Sequence, residues 1–306
     1  MIHSAIQTPT FKLWMAALKP PMYSVAIIPI LVGSAIAFSQ TGVFDWRVFT
    51  TFTLSGILII AWLNLSNDVF DSDTGIDVNK PHSVVNLTGN RGLIFWIANG
   101  FLLLGFFGIV AIVWWQRDLT VIGLILLCCA LGYTYQGPPF RLGYLGLGEF
   151  ICFLTFGPLA IAAAYYSQAQ SFSWTAFWAS SLVGLTTSII LFCSHFHQVK
   201  DDAAAGKRSP IVRLGTARGA RALTGAIASF YGIATVLVVL RILPWPVLGV
   251  WGSVPFGWRL SRHVQQYHDQ PERVSNSKFL AIHLYVVSGA LLSLGLSLPQ
   301  WLGLGS

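Results

Sequence analysis

The sequence predicts an all-α, polytopic membrane protein, a bundle of nine transmembrane helices, and three observations carry that prediction. Of its 306 residues, 55% are hydrophobic and only 9% are charged, whereas a soluble domain carries about 25% charged residues. Stretches without a single Asp, Glu, Lys or Arg run through 20–44, 48–67, 92–116, 119–140, 150–199, 222–240, 242–258 and 279–306, and a spanning helix needs roughly 20 apolar residues. None of these stretches alternates apolar and polar at every second residue, which argues against barrel strands. The whole chain, 1–306, reads as a single membrane-embedded domain.

The first helix, 22–39, follows Lys19-Pro20-Pro21 and contains Pro29 and Gly33, a pattern that fits either a kink beside a cavity or close packing. The second, 48–67, runs into an acidic stretch. The third, 93–115, closes on Trp114 and Trp115, which read as interfacial anchors. The fourth, 119–136, delivers Tyr133 and Tyr135 to its end, with Arg141 just beyond Gly137-Pro138-Pro139. The run 150–199 has room for two helices, 149–166 and 174–197, divided at the polar Ser167 to Ser171. Three more follow at 221–240, 244–259 and 279–300, the middle one short and rich in Pro and Gly. No apolar core with a small-residue cleavage site opens the chain, so no signal peptide is expected.

Lys and Arg divide unequally on this topology. Fifteen fall on the N-terminal side, in the N-terminal segment and the loops after helices 2, 4, 6 and 8, against Arg47, Arg117 and Arg241 on the other. The bias places the N-terminus and those loops on the cytoplasmic or stromal face and the C-terminus opposite. The net charge of +7 therefore expresses topology and anion binding, and no nucleic-acid partner is expected. Cys128, Cys129, Cys152 and Cys193 all fall inside spans without metal-ligand spacing and read as core residues.

Charge returns abruptly in Asn64-Leu-Ser-Asn67-Asp68-Val-Phe-Asp71-Ser-Asp73-Thr-Gly75-Ile-Asp77. If the helix continues past Asn67, then Asn64, Asp68 and Asp71 stand at i, i+4 and i+7 and share a face. Such a stretch fits a solvated acidic cap on a membrane helix, or an oxygen-rich site for Mg²⁺ completed by diphosphate oxygens. A long polar connection follows, carrying Lys80 and Arg91, and connections of that length are commonly functional. A second polar stretch ends the sixth helix: Ser194-His195-Phe-His197-Gln198-Val-Lys200-Asp201-Asp202, then Gly206-Lys207-Arg208. Six of the eleven acidic residues lie in these two stretches, each at the end of an even-numbered helix, so a four-helix unit reads as repeated once. Two carboxylate clusters, several cations and aromatic-rich helices suggest chemistry on a lipid diphosphate. There a metal aids the leaving group and aromatic faces stabilise an allylic cation.

Asn67-Asp68-x-x-Asp71 and Asp202-x-x-x-Gly206-Lys207 resemble the two Asp-rich motifs of the UbiA superfamily of intramembrane aromatic prenyltransferases. The resemblance covers nearly the whole chain and includes Lys19-Pro20, Pro29, Gly33 and Gly137-Pro138-Pro139-Phe140. Asn64 and Gly75-x-Asp77, with Gly146-Leu-Gly148-Glu149 and Phe156-Gly157-Pro158-Leu159, are similar to the 1,4-dihydroxy-2-naphthoate prenyltransferase branch. His195-Phe-His197-Gln198, Gly206-Lys207 and the run from Ser209-Pro210 to Gly215 resemble the subgroup that makes phylloquinone and attaches a phytyl tail. Gly75 stands where the common first motif has its last Asp, and His197 and Gln198 stand where the second usually has an Arg-Asp pair.

The resemblance implies Mg²⁺-dependent transfer of a phytyl group from its prenyl diphosphate to 1,4-dihydroxy-2-naphthoate or its quinone form, with decarboxylation, in phylloquinone (vitamin K1) biosynthesis. It implies a catalytic set of Asp68, Asp71, Asp202 and His197, and metal contacts from Asn64, Asn67, Asp68, Asp71, Asp77, Asp201 and Asp202. Lys80, Arg141, Lys200, Lys207 and Arg208 are the implied diphosphate contacts. Tyr133, Tyr135, His195 and Gln198 are expected at the acceptor or the cation. Two alternatives stand: a relative using another tail or acceptor, such as a menaquinone or homogentisate enzyme, and a cation transporter, whose binding sites lie nearer the bilayer midplane.

Overall fold

The computed structural model describes residues 11–76 and 83–303; Asp77 and Lys80 lie outside the described residues. Within them there are helices and turns and no strand. The chain runs back and forth through α1 (Ser24–Thr41), α2 (Trp46–Thr74), α3 (Arg91–Gln116), α4 (Thr120–Gln136), α5 (Gly148–Ala169), α6 (Trp174–Ala204), α7 (Thr216–Val239), α8 (Val254–Tyr267) and α9 (Ser277–Trp301). Seven of these are long and apolar enough to cross a membrane; α4, at 17 residues, is shorter, and α8 is the other exception. The protein is an integral membrane protein.

The helix expected at 244–259 takes a different form. Residues Trp245–Ser253 are 3₁₀ turns, and the α-helix starts only at Val254. Pro244, Pro246, Gly249 and Gly252 explain this, because proline withholds an N–H and glycine disfavours a helix interior.

The two acid-bearing helices outrun their expected ends. α2 continues seven residues beyond Asn67, to Thr74, because neither Pro nor Gly interrupts it until Gly75, which caps it at φ 73°. In the left-handed region glycine carries no Cβ penalty, so it makes a ready helix stop. α6 likewise runs past His197 to Ala204, with Gly206 beyond it at φ 74°. The two also start alike: Asp45 accepts from the N–H groups of Arg47 and Val48, and Ser173 from that of Ala176, which are N-caps.

Apolar side chains fill the bundle in two main groups. One joins α1, α5, α6, α7 and α9 around Phe196, Phe230 and Tyr285; the other joins α2 to α5 around Phe52, Ile109 and Val121. Leu103, Leu104, Phe107 and Trp114 of α3 remain exposed, as lipid-facing residues can. At the end remote from the acids, Arg47 lies 3.7 Å from the Trp115 ring centroid and Arg117 4.2 Å from that of Trp114, while Tyr166 donates to Asp118 at 2.9 Å.

Small residues let the helices approach closely. A Cβ on Gly33 of α1 would lie 2.6 Å from Cβ of Ala164 and 2.9 Å from the Tyr165 nitrogen in α5. Gly33→Val should therefore destabilise the protein by on the order of 1–3 kcal/mol. Gly100→Ala, inside α3 where an added Cβ meets nothing within 4 Å, should melt in detergent no lower than the wild type, since alanine favours a helix interior over glycine; equal melting of both variants would contradict this packing.

Candidate active site

Asp68 and Asp71 occupy the last two turns of α2, and Asp202 the last turn of α6, at the same end of the bundle. Asp68 is buried. Its Oδ1 lies 3.4 Å from Nζ of Lys19, and its Oδ2 accepts the Val84 N–H at 2.9 Å. Val69, Val84, Val85, Ile94 and Ala17 form a small apolar group beside it, which fixes the end of α2 against the following segment. Asp71 accepts a hydrogen bond from the side-chain amide of Gln136, the last residue of α4.

Asp202 is buried as well. Its Oδ2 lies 3.0 Å from Nδ1 of His195, and its Oδ1 lies 3.4 Å from Nζ of Lys207. The other face of the same imidazole meets Glu149 of α5, with Nε2 3.4 Å from Oε1. Buried carboxylates are tolerated only when charge and hydrogen bonds answer them, and both clusters meet that condition with a lysine.

Tyr144 links the two halves. Its hydroxyl lies 2.7 Å from Oγ1 of Thr74 at the end of α2, and the Lys207 ammonium sits 5.9 Å from its ring centroid. Burial pushes the Tyr144 phenol above its ordinary value, so it stays protonated at neutral pH. Lys19 and Arg141, the cations that precede the two adjoining 3₁₀ turns, are both left-handed, at φ 48° and 44°. That conformation is costly for a residue with a Cβ and gathers at functional sites. The Arg141 Nε is buried with no hydrogen-bond partner, as expected of a group that receives an anion.

Below this charged end lies a cavity of about 170 Å³, walled by α1, α2, α4, α5, α6 and α9. Asn64, Asn67, Tyr135, Ser194 and Lys278 make its polar wall; Ile60, Leu63, Ile151, Phe156, Ile190 and Leu191 belong to the apolar one. A second cavity of about 60 Å³ shares Val25, Ile60, Leu63, Thr155 and Phe156 with it and reaches Phe52. From position 67 to position 52 along α2 is about 22 Å at 1.5 Å per residue. Thr155–Leu159, on the shared wall, is a single π turn within α5 around Pro158, where the proline cannot supply an N–H to the α-helical ladder.

The sequence pattern of the UbiA prenyltransferase family matches residues 26–289. The chain belongs to that family. Among curated relatives, the 2-carboxy-1,4-naphthoquinone phytyltransferase of Synechocystis is 61% identical over 97% of this chain and 95% of its own. The chloroplastic 2-carboxy-1,4-naphthoquinone phytyltransferase of Arabidopsis thaliana is 45% identical over 98% of this chain and 80% of its own. The fold also matches the structure of a UbiA homolog from Archaeoglobus fulgidus, with a TM-score of 0.63 at 16% identity over 92% of this chain and 99% of the other. The same homolog bound to DMAPP and Mg²⁺ matches with a TM-score of 0.54 at 15% identity, over the same shares.

The expected residues of the UbiA motifs separate into those brought together and those that are not. Asp68, Asp71, Asp202, Lys207 and Arg141 gather at the charged end; Asn64, Asn67 and Tyr135 line the cavity. Lys200 is exposed, and its place two residues before Asp202 puts it on the opposite side of α6. Arg208 is exposed too, and its backbone is engaged: its N–H donates to the Tyr144 carbonyl and its own carbonyl accepts from Arg213. Asp201 and Gln198 make no side-chain hydrogen bond among the described residues, and His197 is half-buried on α6.

Two expected acceptor contacts are otherwise occupied. Tyr133 donates its hydroxyl to the Pro138 carbonyl at 2.8 Å, holding its own loop. His195 stands between two carboxylates outside the cavity lining, so it braces Asp202. Sequence reasoning assigned no site role to Lys19, Gln136, Tyr144, Glu149 or Lys278. Two of them offered a signal: Lys19 through the Lys19-Pro20 of the resemblance, and Glu149 as the single acid between Asp118 and Asp201.

The oxygen donors present are carboxylates and amide carbonyls, with Gln136 Oε1 buried and unpartnered. No three His, Cys, Asp or Glu side chains converge among the described residues. Such a set suits a hard cation that keeps part of its shell for phosphate oxygens and water. Lys207→Met should leave Asp202 buried beside only the imidazole and lower stability by about 3 kcal/mol. Adding Asp202→Asn should recover part of that loss. Melting curves in detergent check both, and additive losses would show that the two side chains are not coupled.

Proposed function

We propose that this UbiA-family protein transfers a phytyl group from phytyl diphosphate to 2-carboxy-1,4-naphthoquinone, the oxidised form of 1,4-dihydroxy-2-naphthoate, in phylloquinone biosynthesis. The observation that carries this reading is the 61% identity, over nearly the full length of both chains, to a phytyltransferase of that acceptor. The site accords with it, because a charged mouth suited to diphosphate opens onto a largely apolar cavity, with a second apolar cavity sharing its wall, suited to a prenyl tail.

Asp68, Asp71 and Asp202 would hold Mg²⁺, with Asn64 and Asn67 beside them and Asp77 a further candidate ligand. When bound, the metal offsets diphosphate charge and improves it as a leaving group. Lys19 and Lys207, each 3.4 Å from a carboxylate, are close enough to turn to phosphate oxygens, as is Arg141 through its unpartnered Nε; Lys80 is a further candidate. The allylic C–O bond breaks with its electron pair going to diphosphate. The walls around Tyr135 and Phe156 exclude water and present aromatic rings to the cation. The acceptor's carboxylated ring carbon bonds to the phytyl carbon, and the carboxylate departs as CO₂, returning its bond pair to the ring. The transfer is therefore redox-neutral and needs no further reactant.

The excess of Lys and Arg at this end supports a cytoplasmic or stromal location for the N-terminus and the site, with the C-terminus on the opposite face and the tail entering from membrane lipid.

Purified protein given Mg²⁺, phytyl diphosphate and the naphthoquinone acid should form a prenylated, decarboxylated product, and chelation should abolish it. Asp71→Asn and Asp202→Asn should each abolish turnover in protein that remains folded in detergent. Product formed only from homogentisate or 4-hydroxybenzoate would move the enzyme to another pathway, and full activity in both variants would overturn the metal assignment.

A further inference from the structure

The two acid-bearing helices are followed by the same local arrangement. After α2 the chain turns at Ser83 into a five-residue helix, Val84–Thr88, closed by Gly89 at φ 62°. After α6 it turns at Ser209 into a five-residue helix, Pro210–Leu214, closed by Gly215 at φ 77°. Each serine carbonyl accepts the N–H four residues on, from Leu87 at 2.9 Å and from Arg213 at 3.1 Å. Each arrangement is also tied to its acid: Val84 donates its N–H to Asp68 at 2.9 Å, and Lys207, just before Ser209, donates its backbone N–H to the Asp202 carbonyl at 2.8 Å.

A serine that precedes a helix ordinarily spends its hydroxyl on a backbone N–H of the first turn. Neither serine does so here. Both side chains are fully buried, and both Oγ atoms lack a hydrogen-bond partner. Ser209 lies beside the Asp202 carboxylate without reaching hydrogen-bond geometry with it. A buried hydroxyl left unpaired costs free energy, and native proteins leave few of them. The same cost recurs at matching places after α2 and α6, which points to a shared use.

Asp68 and Asp202 are buried to nearly the same degree, so a ligand that reaches the acids reaches the layer of these hydroxyls. In each half a lysine ammonium lies 3.4 Å from the acid. An ammonium and an unspent hydroxyl on one acid's surroundings are donors in need of acceptors, and phosphate oxygens are strong acceptors. Diphosphate brings two phosphate groups to the two halves. We propose that Ser83 and Ser209 bind the donor's diphosphate, each hydroxyl donating to one phosphate group beside the lysine of its own half. The assignment rests on the prenyl diphosphate of the reading above.

The test uses the full-length protein in detergent with inorganic diphosphate and Mg²⁺ as the probe, and compares the wild type with Ser83→Ala, Ser209→Ala and the double variant. Without ligand, the variants should melt no lower than the wild type, because the hydroxyl removed had no partner to lose. Each single variant should bind diphosphate about tenfold more weakly, the scale of one charge-assisted hydrogen bond. The double variant should lose about a hundredfold, since contacts to separate phosphate groups add in free energy. The KM for phytyl diphosphate should rise in step, with the acceptor KM within about twofold of the wild type. Wild-type affinity in either single variant would overturn the proposal, and a lowered ligand-free melting point with unchanged affinity would show a structural hydroxyl instead. A double variant no weaker than the singles would overturn the division between two phosphates, and a loss erased by saturating Mg²⁺ would make the serines metal ligands and overturn the phosphate assignment. If the wild type binds diphosphate with both serines required but transfers no phytyl group, the functional reading fails and this assignment stands; a wild type that binds no diphosphate would overturn both.

Discussion

A carboxylate at the edge of a bilayer cannot stand alone, and the architecture of the charged end follows from that requirement. Asp68 draws in Lys19 from the segment before α1, and Asp202 draws in Lys207 from just beyond its own helix. Each pairing ties separate stretches of chain to the end of an acid-bearing helix. Gln136 brings α4 to Asp71, and Glu149 brings α5 to Asp202 through His195. The acids organise the site by the partners they demand.

These pairings hold the site ready for a ligand with the opposite needs. Diphosphate and a divalent ion would exchange the lysines' partners, each carboxylate turning to the metal and each ammonium to a phosphate oxygen, without uncovering a bare buried charge. The left-handed conformations of Lys19 and Arg141 fit a mouth whose cations are placed before the ligand arrives. Below it the walls turn apolar from Asn64 to Phe52, so that on the proposed reading one end of the donor would meet charge and the other hydrocarbon. The acids lie at helix ends and not at the bilayer midplane, the arrangement of an interfacial enzyme more than of an ion pathway.

Much of this was legible in the sequence because it depends on local rules. Charge-free stretches of spanning length mark the helices, and Asn64, Asp68 and Asp71 share a face once α2 continues to Gly75. The broken segment before α8 follows from Pro244, Pro246, Gly249 and Gly252, although its length alone suggested a helix. The contacts that complete the site were not legible: Lys19 and Asp68 are 49 residues apart, and Gln136 and Asp71 are 65 apart. Nothing local distinguishes Tyr133, which serves its own loop, from Tyr135, which lines the cavity.

By itself, then, the sequence determined the membrane class, the helical periodicity and the family, since hydropathy, glycine and proline placement, and the Asp motifs act within a few residues of where they are written. Only the tertiary structure decided which cation answers which acid, that His195 braces Asp202 outside the cavity, and that Lys278 enters the chamber. Those outcomes depend on how helices far apart in the chain pack, and side chains meet across a bundle only after burial has fixed which faces turn inward.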